Sequence, residues 1–549
     1  MENTWLRSRS FTLDRALFLF FFICYLLTSS GRICGGDAGT MYQVTHNMLA
    51  RGTVSVVAEE VRVAAQREAG FLPTRAYTVE TAFVSPGVGG LTYSPYGWGQ
   101  SLAAIPLYAL SRLGDTLWSG WEDQLMARMF VQSLNAFFLA ALAVVLIEFG
   151  RDLGLNPKIA ILTGAAFGFG TMVWPYVNTF YSEPATAFCL LCAVYALHRF
   201  ERTRCRAWAF WAGLSLGCSA VFRITSLIAM PALGIYLGWT LLQQWRAEHR
   251  WDALAVVYAV LGGMPGAALV ILYNVLRFGH PLALSYTASQ IGWDTPVLNG
   301  LYGLLFSPGK GLFVYNPILL LGVGGMLLLW ARHRGLTLLI GILVVSYVLF
   351  HAPYSFWTGG WNWGPRFLIP IIPLLMLPVG FFLQEIRGKA VWLLTGTLIA
   401  LSVLIQLPAV LVDHSRDMIA LSEQYDQFYR KTIDQLEFSP VVRQWPVAVE
   451  VLRRFSHAET WTDVQRMLAA NRALWFQPGL SDAKVAAGLT AEIEFIRNNV
   501  PDSWWVYLYL LRVPWEIVAG LVAMLIGIGG IAAVKICQEA HVSRSLPVY

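Results

Sequence analysis

Apolar runs long enough to cross a bilayer recur along this chain, and they constrain its fold more than any other feature. A segment inside lipid must satisfy its backbone hydrogen bonds internally, so each run is expected to be a helix. Composition agrees: 56% of the 549 residues are hydrophobic and only 13% are charged, where a soluble chain carries about a quarter charged. The chain is therefore read as an all-α polytopic membrane protein. The formal charge of +6 says little about partners. Most Arg and Lys stand in short loops between apolar runs, where they set orientation and do not bind nucleic acid. Of the seven cysteines, only Cys34 falls in an expected external loop, so no disulfide framework is expected. The "CLLC" pair, Cys189 and Cys192, has zinc-like spacing but lies in a greasy run with no second pair, and no metal or cofactor is expected.

Basic clusters assign the direction of each span. Arg7, Arg9 and Arg15 precede a first apolar run at 16–29, which places the N-terminus inside. Gly-Arg-Ile-Cys, and not a small-x-small cleavage site, comes after this run, so it reads as a retained anchor and not a cleaved signal. Later runs lie at 130–149, 159–176, 184–197, 207–222, 224–245, 253–276, 312–330, 336–350, 367–383, 391–412 and 517–534. Basic stretches such as "HRFERTRCR", "RAEHR" and "ARHR" come directly after inward ones. The expectation is about twelve spans with both termini inside. Residues 1–412 form the transmembrane domain, with a long first external loop at 31–111 carrying interfacial helices. Residues 413–508 read as a small external helical domain, and 509–549 as the last span and an internal tail. Trp504 and Trp505 mark the return to the interface.

A charge inside apolar sequence costs about 2.5–3.5 kcal/mol on insertion scales, so the outward-side charges are the candidates. They are Asp37, Glu183, Arg223, Arg277, His280, Lys310, His351 and Arg366, and this topology puts all of them near one face. Two acids among several cations suit a site that handles a phosphate and moves a proton. Each also has a plainer reading. Asp37 and Glu183 suit helix starts, Arg223 and Arg366 suit lipid-headgroup anchors, and the histidines suit satisfied interfacial positions. "WTGGWNWG" suits an aromatic belt. "SPGKG" is not a phosphate loop, since Gly311 replaces the Ser or Thr that motif needs.

An inside N-terminus, one span, then an external loop opening on an acid resembles the GT-C superfamily of polytopic glycosyltransferases. The segments that carry the resemblance are "GGDAGTMYQVTHNMLARG", "YSPYGWGQSLAAIPLYALSRLG", "ARMFVQSLNAFFLAALAVVLIEFGRDLG", "FYSEPATAFCLLCAVYAL", "SPGKGLFVYNPILLLG" and "WTGGWNWGPRFLIPIIPLL". The nearest resemblance is to aminoarabinose transferases and protein O-mannosyltransferases; the last two segments resemble ones that recur in uncharacterised members of the group. Here a single acid, Asp37, stands where many relatives have two, and "YSPYG" lacks the lysine of their Lys-Pro-Pro-type motif. The resemblance implies transfer of a sugar from a polyprenyl-phosphate donor to a hydroxyl of a lipid, glycan or protein acceptor, with inversion, on the external face of a bacterial inner membrane. It implies catalytic roles for Asp37 and Glu183, and donor-phosphate contacts from Lys310, Arg366 and Arg223. Sugar or lipid contacts are expected from Tyr93, His280, His351, Trp357 and Trp361. Two rivals stand beside this reading: a transporter or flippase of a lipid-linked sugar, and a non-catalytic GT-C-like partner in an envelope assembly.

Overall fold

The computed structural model describes residues 2–33, 36–58, 83–117, 123–283, 292–415, 417–418, 421, 433–457, 462–463, 500–510 and 513–542. Cys34, much of the expected external domain and the end of the tail lie outside the described residues. Among the described residues, seven helices are long and apolar enough to cross a membrane: Met126–Asp152, Ile224–Glu248, Ala253–Phe278, Arg334–His351, Arg366–Glu385, Lys389–Leu411 and Trp515–Glu539. Pro317–Arg332 is a shorter apolar helix. The other expected spans fall in helices Glu2–Leu27, Pro157–Gly170, Glu183–Thr203 and Arg206–Phe222. The run expected at 159–176 stops being α-helical at Gly170, and after a turn Pro175 sits in a separate 3-10 segment, Trp174–Asn178.

The first external loop departs from an all-helical reading. Helices Gly36–Ala50, Gly99–Ala103 and Ile105–Leu117 are present, but a three-stranded antiparallel sheet joins them. Thr92–Tyr93 is its central strand, between Ser55–Val56 and Ser85–Pro86. Gly89 and Gly90, both at φ +72°, turn the chain between two of the strands, a conformation that glycine adopts without a Cβ clash.

Two kinds of contact fix the bundle. The first is glycine-mediated. Helices Arg206–Phe222 and Ala253–Phe278 touch backbone to backbone: a Cβ on Gly213 would lie 1.8 Å from the Ala259 carbonyl oxygen, and one on Gly262 would lie 2.0 Å from that of Phe210. Small residues allow this approach, and dispersion rewards it where lipid offers no hydrophobic drive. The second is ionic, at one end of the bundle. Asp152 receives Arg199 and Arg202, each at 3.2 Å. Arg206 meets Asp252 at 2.9 Å, and Arg332 meets Glu385 at 2.6 Å. Helix Glu183–Thr203 runs about 30 Å from Glu183 to this end, so Glu183 stands at the opposite pole.

The chain's late segments return to its beginning. Arg32 bridges Asp413 at 2.9 Å and Asp502 at 2.8 Å. The Trp504 indole donates to the Leu26 carbonyl at 2.7 Å, and its backbone N–H donates to Ser29 at 3.0 Å. Gly31, at φ +72°, leaves room for Trp504.

A bulky residue in the glycine contact must separate the two helices or strain them. Gly262→Val is expected to lower the stability of the purified protein by about 1–3 kcal/mol, read as a drop in the thermal unfolding midpoint in detergent. An unchanged midpoint would show that the contact is not tight.

Candidate active site

Four segments deliver the charged centre. Asp37 lies in the first turn of helix Gly36–Ala50. Gly36 before it presses on Phe83, whose ring a Cβ would meet at 2.5 Å. Glu183 opens helix Glu183–Thr203 with Pro184 in its first turn, where a proline's missing N–H costs nothing. Arg223 comes directly after the last residue of helix Arg206–Phe222. Arg366 begins the 3-10 turn Arg366–Ile371 that leads into helix Ile372–Glu385.

These four side chains form one chain of contacts. Arg366 donates from a terminal nitrogen to Asp37 Oδ2 at 2.9 Å, and its Nε lies 3.8 Å from Glu183 Oε1. Arg223 donates to the same Glu183 oxygen at 2.7 Å. The Tyr96 hydroxyl donates to Asp37 Oδ1 at 2.8 Å. Asp37 therefore does more than start a helix, because both carboxylate oxygens reach other segments. Arg223 and Arg366 are likewise engaged inside the protein, with Arg366 side-chain exposure of only 8%. Glu183 is 1% exposed and Asp37 17%, so Asp37 is the acid that a molecule arriving from outside can reach. Among the described residues, Glu183 Oε2 and Arg366 Nε are buried without a hydrogen-bond partner. Each such atom costs about 1–3 kcal/mol.

Aromatic rings seat the cations. The Arg223 and Arg366 guanidinium carbons each lie 5.0 Å from the Phe367 ring centre, within cation–π range. The Tyr181 ring lies 5.1 Å from that of Arg366. The loop bearing Tyr181 is held from below: the Asn135 amide donates to the Thr179 and Tyr181 carbonyls at 2.7 and 3.0 Å, and accepts from Gln100 at 3.1 Å. Sequence reasoning missed Tyr96, Tyr181 and Phe367. For Tyr181 and Phe367 the available signal was their position beside Glu183 and Arg366, in "FYSEP" and "PRFLIP"; Tyr96, in "YSPYG", has no charged candidate beside it in the sequence.

The other expected residues divide into supporting and distant ones. Lys310 is buried, and its ammonium donates to the Gly360 and Asn362 carbonyls at 2.8 and 2.5 Å. It pegs the loop that runs into Arg366. Gly359 of that loop, at φ +70°, packs on the Arg366 side chain, and a Cβ there would be 2.8 Å from Arg366 Cγ. His351 is also buried. Its Nδ1–H donates to the Tyr347 carbonyl at 2.8 Å, and its ring stacks on Phe367 at 5.1 Å. It supports the ring beneath the arginines. Trp357 is buried, with its ring fitted against Gly303. Trp361 packs with Met418 and Leu421. Tyr93 lies in the small sheet and donates to the Val88 carbonyl at 3.2 Å. His280 is exposed and accepts from the Leu282 N–H at 3.2 Å. The described contacts of these last four do not join them to the charged chain. Among the described residues no group of three or more His, Cys, Asp or Glu is placed to hold a metal ion.

The sequence matches no known family model and no curated protein. Among solved structures, the chain is similar to ArnT from Cupriavidus metallidurans in the apo state. The TM-score is 0.44 at 15% identity, covering 90% of this chain and 76% of that one. It is similar also to the same protein bound to undecaprenyl phosphate, with a TM-score of 0.44 at 16% identity, covering 90% and 77%.

Burial, and then the charge of Arg366, push the Lys310 ammonium down from 10.5 to about 7. Between these values the folded protein binds fewer protons here than the unfolded chain does. The cost of burying the charge is complete below pH 7 and fades as pH rises toward 10.5. Wild type should therefore gain stability relative to Lys310→Met as pH rises from 7 to 10, measured as the difference between their thermal midpoints. A constant difference across that window would contradict this.

Proposed function

We propose that the protein transfers a sugar from a polyprenyl-phosphate carrier to an acceptor hydroxyl by a single in-line displacement with inversion. The observation that carries this reading is Arg366 lying between Asp37 and Glu183, with Arg223 on the far side of Glu183. An anionic leaving group needs cations at the charge that develops, and an acceptor hydroxyl needs a base; this cluster holds both.

In the proposed reaction the donor phosphate approaches Arg366 from the side of Asp37, the more exposed partner, and competes with Asp37 for it. Arg366 and Arg223 are suited to this because a guanidinium presents several N–H groups in one plane. Lys310 joins them. Two of its N–H groups are engaged by carbonyls, and protonation supplies a third. A phosphate beside it favours that protonated form. Freed from Arg366, Asp37 accepts the proton of the acceptor hydroxyl. The acceptor oxygen bonds to the anomeric carbon, the bond from that carbon to the phosphate oxygen breaks, and polyprenyl phosphate departs as a stable anion. No general acid is required, unlike in a glycosidase, where the leaving oxygen must be protonated. Glu183 orients Arg366 and Arg223 and offers Oε2 to a sugar hydroxyl.

The membrane is the bacterial inner membrane, and the site faces its exterior, because the basic helix ends lie at the opposite pole. Residues 1–412 are the catalytic domain in this reading. Residues 413–508 help to cover the site and exclude water, which fits the Ser439 hydroxyl donating to the Pro308 carbonyl, beside Lys310, at 2.6 Å.

The test is a reconstituted assay with radiolabelled polyprenyl-phosphate sugars and a membrane extract as acceptor source. Asp37→Asn should lose about 10²–10⁴-fold in transfer while saturable donor binding survives. Normal transfer by a stably inserted Asp37→Asn protein would remove Asp37 from the mechanism. Donor binding without transfer by wild type would favour a transporter or an inactive partner.

A further inference from the structure

Arg277 lies in the last turn of helix Ala253–Phe278, where a cation would ordinarily reach for lipid headgroups. It does not do so here. It is 4% exposed, and its guanidinium lies 3.8 Å from the Tyr273 ring centre and 4.7 Å from that of Phe278. One of its terminal nitrogens goes to the first external loop, while its Nε donates to the Tyr273 carbonyl of its own helix at 3.4 Å. One terminal nitrogen donates to the Ser94 carbonyl at 2.5 Å and to the Tyr96 carbonyl at 3.3 Å; the other donates to Asn274 Oδ1 at 2.8 Å.

Further contacts dock the same stretch of loop. Trp98 stacks on Tyr273 at 4.9 Å, with ring planes 7° apart. Gly87 faces the Arg277 carbonyl oxygen, which a Cβ would meet at 2.1 Å. Gly97 and Gly99 press on the backbone of Phe222, the residue before Arg223, where Cβ atoms would come within 2.4 and 2.7 Å. Between these anchors Tyr96 projects its hydroxyl to Asp37 Oδ1 at 2.8 Å.

We infer that Arg277 is a positioning residue of the proposed transferase site, acting on Asp37 through the turn at 94–96 and the hydroxyl of Tyr96. The inference rests on the reading of Asp37 as the base. A buried guanidinium holds the two carbonyls that flank Pro95, so the direction of the Tyr96 side chain is set from below the loop. Tyr96 in turn fixes one carboxylate oxygen of Asp37, which leaves the other to exchange Arg366 for the acceptor's proton. Arg277 touches neither acid. Its influence on the reaction passes through one hydrogen bond, which makes the path testable.

The experiment is a double-mutant cycle on transfer, with donor KM and kcat measured separately for wild type, Arg277→Gln, Tyr96→Phe, the double variant and Asp37→Asn. A hydrogen bond to a charged group, once lost, corresponds to about 10- to 100-fold. Each single variant should lose about that in kcat, with donor KM changed by less than about threefold. The double variant should fall no further than about threefold below the weaker single, because both changes cut the same path. Arg277→Lys keeps the charge and stem but not the planar fork, so it should lose nearly as much kcat and retain the wild-type thermal midpoint. This covers the case in which Arg277→Gln does not fold; the cycle is then run with Arg277→Lys. Losses that multiply, with Asp37→Asn inactive, would overturn the inference and leave the base in place. Normal transfer by Asp37→Asn would overturn both. Loss through donor KM alone would assign Arg277 to general support of the loop and overturn the proposal.

Discussion

One guanidinium between two carboxylates is the constraint on which the rest of the site depends. Arg366 joins Asp37 and Glu183, and Arg223 joins Glu183 from the other side. These groups are largely withdrawn from water, where an ion is tolerated only with its partners present. Breaking such a pair by removing one partner costs about 3–5 kcal/mol, because the other charge is left uncompensated. The fold must therefore bring residues 37, 183, 223 and 366 to one place. Each arrives at a helix terminus, and the glycine contact with helix Ala253–Phe278 holds one of those helices, Arg206–Phe222, which leads into Arg223. Packing inside the bundle and the electrostatics of the site are thus one problem.

The cluster as found is neutral in outline, with two acids against two arginines. Such an arrangement is stable without a ligand, yet it keeps two buried polar atoms unsatisfied, Glu183 Oε2 and Arg366 Nε. In the proposed mechanism a phosphate-bearing donor changes the balance, since it would supply a new anion for the arginines and loosen the hold of Arg366 on Asp37. In the proposed mechanism donor binding and release of the base are therefore coupled.

The sequence made the class of fold legible through its apolar runs, because lipid leaves a backbone few choices. It made Asp37, Glu183, Arg223 and Arg366 legible for a related reason: charge in apolar sequence is costly and so is conspicuous. It did not reveal direction. Lys310 was visible as a charge, but its two carbonyl partners are set by a loop fifty residues away. His351 was visible as a polar residue in apolar sequence, but its stacking on Phe367 was not. Tyr93 and Tyr96 stand in one short motif, yet only Tyr96 meets Asp37, while Tyr93 points back to Val88. Aromatic residues are ordinary at membrane interfaces, so Tyr181 and Phe367 carried no signal of their own. The small sheet was missed because its three strands have two residues each, too short for any periodicity to show. The count of about twelve spans exceeds the seven that meet a strict length and polarity test, since several of the remaining helices are short or carry charge at their ends.

The central claim is a single displacement with one base, and its most direct test is stereochemical. The anomeric configuration of the newly formed linkage should be compared by NMR with that of the polyprenyl-phosphate donor. The account predicts inversion. Retention would require a double displacement or attack on the same face as the departing phosphate, and would contradict the single in-line displacement and the role given to Asp37.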